Sequence, residues 1–355
     1  MGSNTTECTA LSLIPDNATD ILSNQTDSSQ CPSSEAWNWL YAMQPIYMGV
    51  ICVLGFIGNA FVLSVFCFHK KHCTVAEIYL GNLAAADLLM VSCLPFWAIT
   101  VANMFEWHFG HSLCQFINVG ISMNMYCSIY FLVLVSIDRY LALVKTMSHG
   151  RMRSVSCAKI SCFTIWMFGF IMSIPVMLFR TPKYFPEYNV TACYLEYPSL
   201  KWETSYNLLL SLIGFFIPLL IISYCTYKII EALRNKKMHK FNTVKTEGKA
   251  SFLVLSVLLV FFLCWIPFHS TTFLHILFNN GLFGGCVWEV FLDISNQVSS
   301  YLAYSNSCLN PVLYVIVGKN FRKKAKEVIE QMFYKRGSTS ESSRSQYLST
   351  LKTFV

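Results

Sequence analysis

The chain has 355 residues, of which 54% are hydrophobic and only 13% charged, and its mean hydropathy is +0.47. Soluble globular domains carry about 25% charged residues, so these proportions exclude an ordinary soluble enzyme and a disordered chain alike. The net charge of +7 is very unevenly spread along the sequence.

A bilayer core about 30 Å thick needs roughly 20 apolar residues of helix. Taken in chain order, seven stretches are nearly free of Asp, Glu, Lys and Arg: 36–68, 78–105 with Asp87 as its one interruption, 107–137, 160–179, 204–227, 250–288 and 294–318. Three of them exceed one crossing and must include water-exposed ends. Asn279-Asn280-Gly281 and Gly284-Gly285 supply a break in the sixth. The runs are continuous rather than alternating, which predicts helices and not barrel strands. Pro95, Pro175, Pro218, Pro267 and Pro311 lie inside them. A membrane bundle tolerates such kinks because neighbouring groups pair the freed carbonyls. No basic segment followed by a short apolar core opens the chain, so the first helix is expected to act as the insertion signal. The predicted fold is an all-α membrane bundle of seven helices. An N-terminal segment covers 1–40, the bundle 41–318 and a cytoplasmic tail 319–355.

Of the 26 Lys and Arg residues, 23 fall in 69–77, 138–159, 228–249 and 319–355. The positive-inside bias therefore places the N-terminus outside and the C-terminus in the cytoplasm. Four glycosylation sequons, at Asn4, Asn17, Asn24 and Asn189, all fall on the predicted outside. The outer segments carry eleven acids against three bases, a balance of −8, and the inner ones +16. The inner charge follows from topology alone. The outer charge does not, and it points to cationic ligands. The inner face is expected to meet anionic lipid and acidic partners.

Only five of the 15 cysteines lie outside, where oxidation is permitted: Cys8, Cys31, Cys114, Cys193 and Cys286. We expect Cys114 to pair with Cys193 and Cys31 with Cys286, leaving Cys8. The tail opens with Phe321, Ala325, Val328, Ile329, Met332 and Phe333 at helical spacing, beside Arg322, Lys323, Lys324 and Lys326. That pattern predicts an interfacial amphipathic helix over 319–333. Beyond it, Ser338, Thr339, Ser340, Ser342, Ser343 and Ser345 begin a Ser/Thr-rich stretch.

Motifs then recur in order along the helices: Gly58-Asn59, Leu83-Ala84-Ala85-Ala86-Asp87, Asp138-Arg139-Tyr140, Trp166, Pro218, Cys264-Trp265-Ile266-Pro267 and Asn310-Pro311-Val312-Leu313-Tyr314 followed by Phe321. With these the chain resembles the rhodopsin-like G-protein-coupled receptors. Longer runs, 73–83, 136–148 and 303–311, look like the bradykinin (kinin) receptors and favour their type 2 branch. Ser122 agrees, because type 1 members have a lysine there and prefer peptides lacking the C-terminal arginine.

The resemblance implies a receptor for an extracellular kinin peptide. Its partners would be a heterotrimeric G protein (Gq first, Gi second), receptor kinases, arrestin and membrane lipid, with no nucleic acid. Its output would be phospholipase C activation and calcium release, and its physiology vasodilation and inflammation. Phosphates added to the tail serines and threonines would each bring about −1.5 to −2 of charge. No cysteine follows Cys308, so the palmitoyl anchor common in relatives is missing from this stretch.

Asp87 is a lone carboxylate at mid-membrane, a position that by default marks function. Asn124 and Ser128, one turn apart, and Asn306 and Asn310, also spaced by four, are its expected companions. The family implies a sodium ion there as an allosteric ligand; a protonated carboxyl in a hydrogen-bond network is the other reading. Asp138, Arg139 and Tyr140 form the expected G-protein end, with Glu247 as a second partner for Arg139. Pro267, Pro311 and Tyr314 mark elements that change shape on activation. One departure is Thr226, where many relatives have a tyrosine.

The third run lacks an acid and the seventh a lysine, which argues against an amine ligand and a retinal Schiff base. A cationic peptide is the remaining class. Asp293 and Glu203 are the candidate partners of its guanidinium groups. Arg180, Ser122, Trp265, Phe268, His275, Gln297, Tyr301 and Tyr304 complete the expected ligand set. The type 2 branch has an aspartate at the position of His275, paired with the one matching Asp293, so this site is short of one acid. No nucleophile–base pair or clustered metal ligands point to an enzyme. No internal repeat points to a transporter or channel. An angiotensin- or chemokine-like peptide receptor is the alternative.

Overall fold

A computed structural model describes residues 35–70, 73–144, 154–186, 189–236, 241–318 and 321–331. Seven long helices follow one another: α1 (Glu35–Phe68), α2 (Val75–Ala102), α3 (Gly110–Leu143), α4 (Val155–Phe179), α5 (200–236), α6 (Phe241–Asn279) and α7 (Cys286–Val317). A short helix α8 (321–331) ends the described chain. Between α4 and α5 a hairpin of β1 (Arg180–Phe185) and β2 (Val190–Leu195) pairs antiparallel, with Arg180 opposite Leu195 and Phe185 opposite Val190.

Helices α1 to α6 are long and apolar enough to cross a membrane. Their outward side chains, such as Ile57, Phe163, Leu220 and Leu259, are 60–71% exposed on the isolated chain and suit a lipid surround. Helix α7 has a more polar central stretch, with Asn296, Gln297, Ser299, Ser300, Asn306, Ser307 and Asn310 turned to the bundle's work rather than to lipid.

The helices outrun the charge-free stretches because a helix stops at a cap, not at its first charge. Helix α2 starts at Thr74, whose hydroxyl accepts from Glu77 N while the Glu77 carboxylate accepts from Thr74 N, a reciprocal capping box. Ser154 and Ser199 cap α4 and α5 more simply, their hydroxyls accepting from Cys157 N and Trp202 N. Helix α3 therefore carries Asp138-Arg139-Tyr140 one turn inside its end. Helix α7 starts at Cys286, eight residues before the expected boundary, so Glu289 and Asp293 ride on its first turns. The reversal between α6 and α7 needs left-handed backbone at Gly281 (φ 76°) and at Gly285 (φ 108°), which glycine adopts without strain.

Helix α3 runs through the middle, with Tyr126, Cys127, Ile129 and Phe131 fully buried. Gly169 lets α4 pass close to it; a Cβ there would stand 2.6 Å from Cys127 Sγ.

Prolines explain two polar links between helices. Pro311 has no N–H, so the carbonyl of Ser307, four residues earlier, loses its helical donor. Asn59 Nδ2 supplies one at 2.8 Å and also donates to Gly55 O at 2.8 Å, tying α1 to α7 at the kink. Gly58 makes the approach feasible, since a Cβ there would lie 2.9 Å from Pro311 Cβ. Replacing Asn59 by Ala leaves the Ser307 carbonyl buried and unpaired, at a cost of about 1–3 kcal/mol. A lower Tm of the detergent-solubilised protein is the expected result; an unchanged Tm contradicts the link.

In α5, residues 200–211 are α-helical, Leu212–Phe216 form a π turn, and Ile217–Lys236 resume the α-helix. A π turn bonds each carbonyl to the N–H five residues on. Ile217 N donates to Leu212 O in this way, but Ile213 would need Pro218, which has none to give. The Tyr130 hydroxyl donates to Ile213 O instead, at 3.1 Å.

Candidate functional site: the outer cavity and the polar axis beneath it

The extracellular end opens into a cavity of about 400 Å³. The hairpin roofs it, and its walls come from α3, α5, α6 and α7. Nine of the ten expected ligand residues line it: Ser122, Arg180, Glu203, Trp265, Phe268, His275, Asp293, Gln297 and Tyr304. The tenth, Tyr301, lines a neighbouring lobe of about 270 Å³ between α1, α2, α7 and the hairpin. Arg180, Gln297 and Tyr304 border both lobes. Of the other aromatic residues near the mouth, Trp97 lines the smaller lobe, Trp107 is buried and donates to Gly110 O at 2.8 Å, and Trp202 is exposed.

The disulfide Cys114–Cys193 pins β2 to the first turns of α3. Trp107 N donates to Thr191 O at 2.8 Å, and Thr191 N to the Glu106 carboxylate at 2.9 Å, so the hairpin is fixed at two further points. Its tip presents Asn189 to solvent at φ 52°, with its amide oxygen accepting from the Tyr184 hydroxyl. Cys286 is also disulfide-bonded; Cys31, its expected partner, lies outside the described residues, as do Cys8, Asn4, Asn17 and Asn24.

The cavity is chemically two-sided. Glu203 and Asp293 bring carboxylates, and Asp293 is buried to 7% exposure. Arg180 brings the opposite charge. Its Nη1 donates to Cys193 O at 3.0 Å and its guanidinium lies 5.6 Å from the Trp97 ring centre. Burial draws the Arg180 guanidinium below its ordinary value, while the phenols of Tyr197, Tyr304, Tyr206 and Tyr194 act the other way. The same burial pushes the Tyr197 phenol up, so its proton stays available to donate. The floor is aromatic: Trp265 meets Phe268 edge-on at 5.8 Å and stacks on Phe261 at 5.7 Å. Sequence reasoning passed over several further cavity residues, among them Asn118, Asn207, Thr272 and Asn296. Each is an uncharged polar residue on a membrane helix, and sequence offers no further signal that marks them.

Below the floor, Asp87 is fully buried and accepts four hydrogen bonds. Asn124 Nδ2 (3.1 Å), Ser128 Oγ (3.4 Å) and Ser307 Oγ (2.8 Å) donate to one oxygen, and Asn310 Nδ2 (2.8 Å) to the other. Three of the four expected companions are direct donors. Asn306 is not, and the adjacent Ser307, which spacing by four does not select, takes its place. Asn306 and Asn310 keep buried amide oxygens without a partner among the described residues. The Asn310 oxygen, on the amide that bonds the carboxylate, is of the kind that suits a small hard cation.

At the cytoplasmic end Arg139 Nη2 lies 3.1 Å from Asp138 Oδ2, and Tyr140 meets Tyr224 at 6.1 Å. Glu247 belongs to α6, but its side chain is outside the described residues. Pro267 lies inside α6 and Pro311 inside α7. Tyr314 is buried against Phe321 at 6.0 Å, and Phe321 also packs on Phe61 and Phe66. Not all of the basic residues of α8 face outward. Lys324 pairs with Glu77 at 2.7 Å, and Arg322 donates to Val315 O at the end of α7. The tail positions Ser338, Thr339, Ser340, Ser342, Ser343 and Ser345 are outside the described residues.

Comparison with known proteins decides the family. Residues 58–314 match the 7 transmembrane receptor (rhodopsin family) profile. The chain belongs to the rhodopsin family of seven-transmembrane receptors. It is a multi-pass plasma-membrane receptor that signals, and not an enzyme. It is 54% identical to the B2 bradykinin receptor of Rattus norvegicus over 92% of its length and 83% of the relative's. The B2 bradykinin receptor of Homo sapiens is 52% identical over 92% of the chain and 84% of the relative. The B1 bradykinin receptor of Homo sapiens is 39% identical over 87% of each. Type 2 relatives are thus matched more strongly than this type 1 relative, in keeping with Ser122 on α3.

Proposed function

We propose that the receptor binds a cationic kinin peptide of the bradykinin type and signals mainly through Gq to phospholipase C and calcium release, with Gi as a second partner. The observation that carries this reading is the make-up of the cavity. Glu203 and Asp293 offer carboxylates for peptide guanidinium groups, Arg180 offers donors to peptide carbonyls, and an aromatic floor receives apolar side chains. Identity above 50% to B2 bradykinin receptors supports the same ligand class.

Peptide seated on Trp265 and Phe268 biases α6, where Pro267 interrupts the backbone hydrogen bonding. Outward motion of the cytoplasmic half of α6 then exposes Arg139, releasing it from Asp138 to engage a G protein. Glu247 is its second restraint. Tyr314 leaves Phe321 as α7 shifts about Pro311. Receptor kinases and arrestin act on the Ser/Thr-rich tail, α8 rests on membrane lipid, and Asn189 with its three N-terminal counterparts carries glycans. The test is calcium imaging of cells expressing the receptor, challenged with kinin peptides with and without the C-terminal arginine. Responses to the arginine-bearing peptides support the reading, and silence to the whole panel removes it.

Asp87, Asn124, Ser128, Asn306 and Asn310, with Ser307, are the residues that would hold a sodium ion. Bound there, the ion supplies positive charge that stabilises the resting arrangement. Sodium is then expected to weaken agonist binding about fivefold or more, within the usual range of allosteric coupling. Asp87→Asn is expected to erase that difference, read by agonist binding in sodium against N-methylglucamine buffers. A sodium effect that survives the substitution places the ion elsewhere.

A further inference from the structure

His269 lies one turn beyond Trp265 on α6, is buried to 5% exposure, and lines neither lobe of the cavity. It fills the space behind the cavity floor, between α6 and the π turn of α5. Its ring stacks on Phe215, inside that turn, with centroids 4.7 Å apart and planes 27° from parallel. Its Nδ1 is 3.4 Å from the hydroxyl of Ser211, the residue just before the turn. On its other side it meets Trp265 at 6.1 Å and Phe268 edge-on at 5.3 Å. One imidazole therefore neighbours both floor residues of the cavity, the residue just before the irregular segment of α5 and one inside it.

The π turn is where α5 departs from regular helical hydrogen bonding. It is widened by one residue, it ends against Pro218, and the Ile213 carbonyl depends on Tyr130 of α3 for its donor. A group that grips this segment sets how α5 stands relative to α6. At the cytoplasmic end of the same arrangement Arg139 is paired to Asp138 and Tyr314 is packed on Phe321. The His269 contacts thus belong to that arrangement.

We propose that His269 is a positioning residue that latches the π turn of α5 to Trp265, holding the receptor at rest until ligand shifts the cavity floor. The ring transmits movement of the indole to α5 through the stack, and the Ser211 bond sets the threshold for release. The proposal rests on the receptor fold and is independent of which peptide enters the cavity.

The test measures the distance between nitroxide labels on the cytoplasmic ends of α4 and α6 in the full chain in nanodiscs, without ligand. His269→Phe keeps a stacking ring and loses the bond; Ser211→Ala removes the bond from the other helix. Each is expected to raise the ratio of outward to inward populations about threefold to tenfold, the change one modest hydrogen bond makes in a two-state equilibrium. The double variant is expected to rise no further than either single one, because both remove the same interaction. His269→Asn, which keeps a polar atom at the Nδ1 position, is expected to stay nearer the unsubstituted chain. Distance distributions that match the unsubstituted chain in both single variants overturn the latch, as does full additivity in the double variant. Bradykinin binding is measured alongside and is expected to tighten by no more than the same factor, since the ring does not face the cavity and the agonist gains only from the larger outward population. A loss of binding without a population shift makes His269 a ligand contact and overturns the proposal. Bradykinin that fails to bind the unsubstituted chain sinks the kinin reading and leaves the distance comparison standing.

Discussion

Cys114→Ser is expected to abolish peptide binding at the cell surface. The bond it removes closes a loop across 79 residues of sequence, from the first turns of α3 to β2. Losing a native disulfide of this kind costs about 2–5 kcal/mol, a large part of a typical margin of stability. The local consequence matters more than the global one. Cys193 lies in the strand that carries Tyr194 and Leu195 over the cavity, and its carbonyl accepts from Arg180. Asn118 Nδ2 bonds both Cys114 O at 2.7 Å and Cys193 Sγ at 3.4 Å, so the join is buried and cross-braced. Releasing β2 displaces Arg180, and with it the shared border of the two lobes. The expected readout is a loss of specific kinin binding beyond detection, together with a drop in surface receptor counted by an extracellular epitope. Glu106→Ala, which cuts only the hydrogen bond to Thr191 N, is expected to have a much smaller effect, of about 1 kcal/mol. Binding by Cys114→Ser at the level of the unsubstituted receptor means the hairpin holds its place without the bond.

The parts of the molecule that follow from one-dimensional rules were readable in the sequence. Seven spans, their orientation and the order of motifs follow from apolar run lengths and from where Lys and Arg fall. Helix ends did not follow, because a charge-free criterion stops at Asp138 or Asp293 whereas the backbone continues to its cap. The Asp87 cluster shows where spacing fails. Asn306 and Asn310 share a helix face by their interval of four, but Ser307 and Asn310 share one by their interval of three, and it is this second pair that bonds the carboxylate. The π turn of α5 left only one hint, Pro218, and no periodicity argument places Phe215 on His269. In the cavity, charged residues stand out against an apolar background, so Glu203, Asp293 and Arg180 were found. Asn118 and Asn207 carry no charge, and polar residues of that kind occur on helices for many reasons. The basic residues of α8 stand out in the sequence, but their partners do not: Lys324 pairs with Glu77, and Arg322, though exposed, donates to Val315 O at the end of α7.

Asp293→Ala is expected to lower kinin affinity about 100-fold, whereas His275→Ala lowers it tenfold or less. Both side chains line the main cavity, Asp293 from the second turn of α7 and His275 from the outer part of α6. They differ in charge. A carboxylate with little access to water holds a guanidinium through charge-assisted bonds worth about 1.5–3 kcal/mol, and truncating one side of such a pair strands the other charge at a cost of about 2–5 kcal/mol. An imidazole is mostly neutral at pH 7 and offers at best one ordinary hydrogen bond, worth about 0.5–1.5 kcal/mol. The asymmetry also predicts the effect of restoring an acid. His275→Asp places a second carboxylate in the same cavity and is expected to raise affinity for peptides ending in arginine while leaving peptides without that residue unchanged. Competition binding with the paired peptides on each variant gives the comparison directly. Equal losses from Asp293→Ala and His275→Ala, or a gain from His275→Asp that ignores the terminal arginine, would show that the guanidinium is held elsewhere, with Glu203 the next residue to substitute.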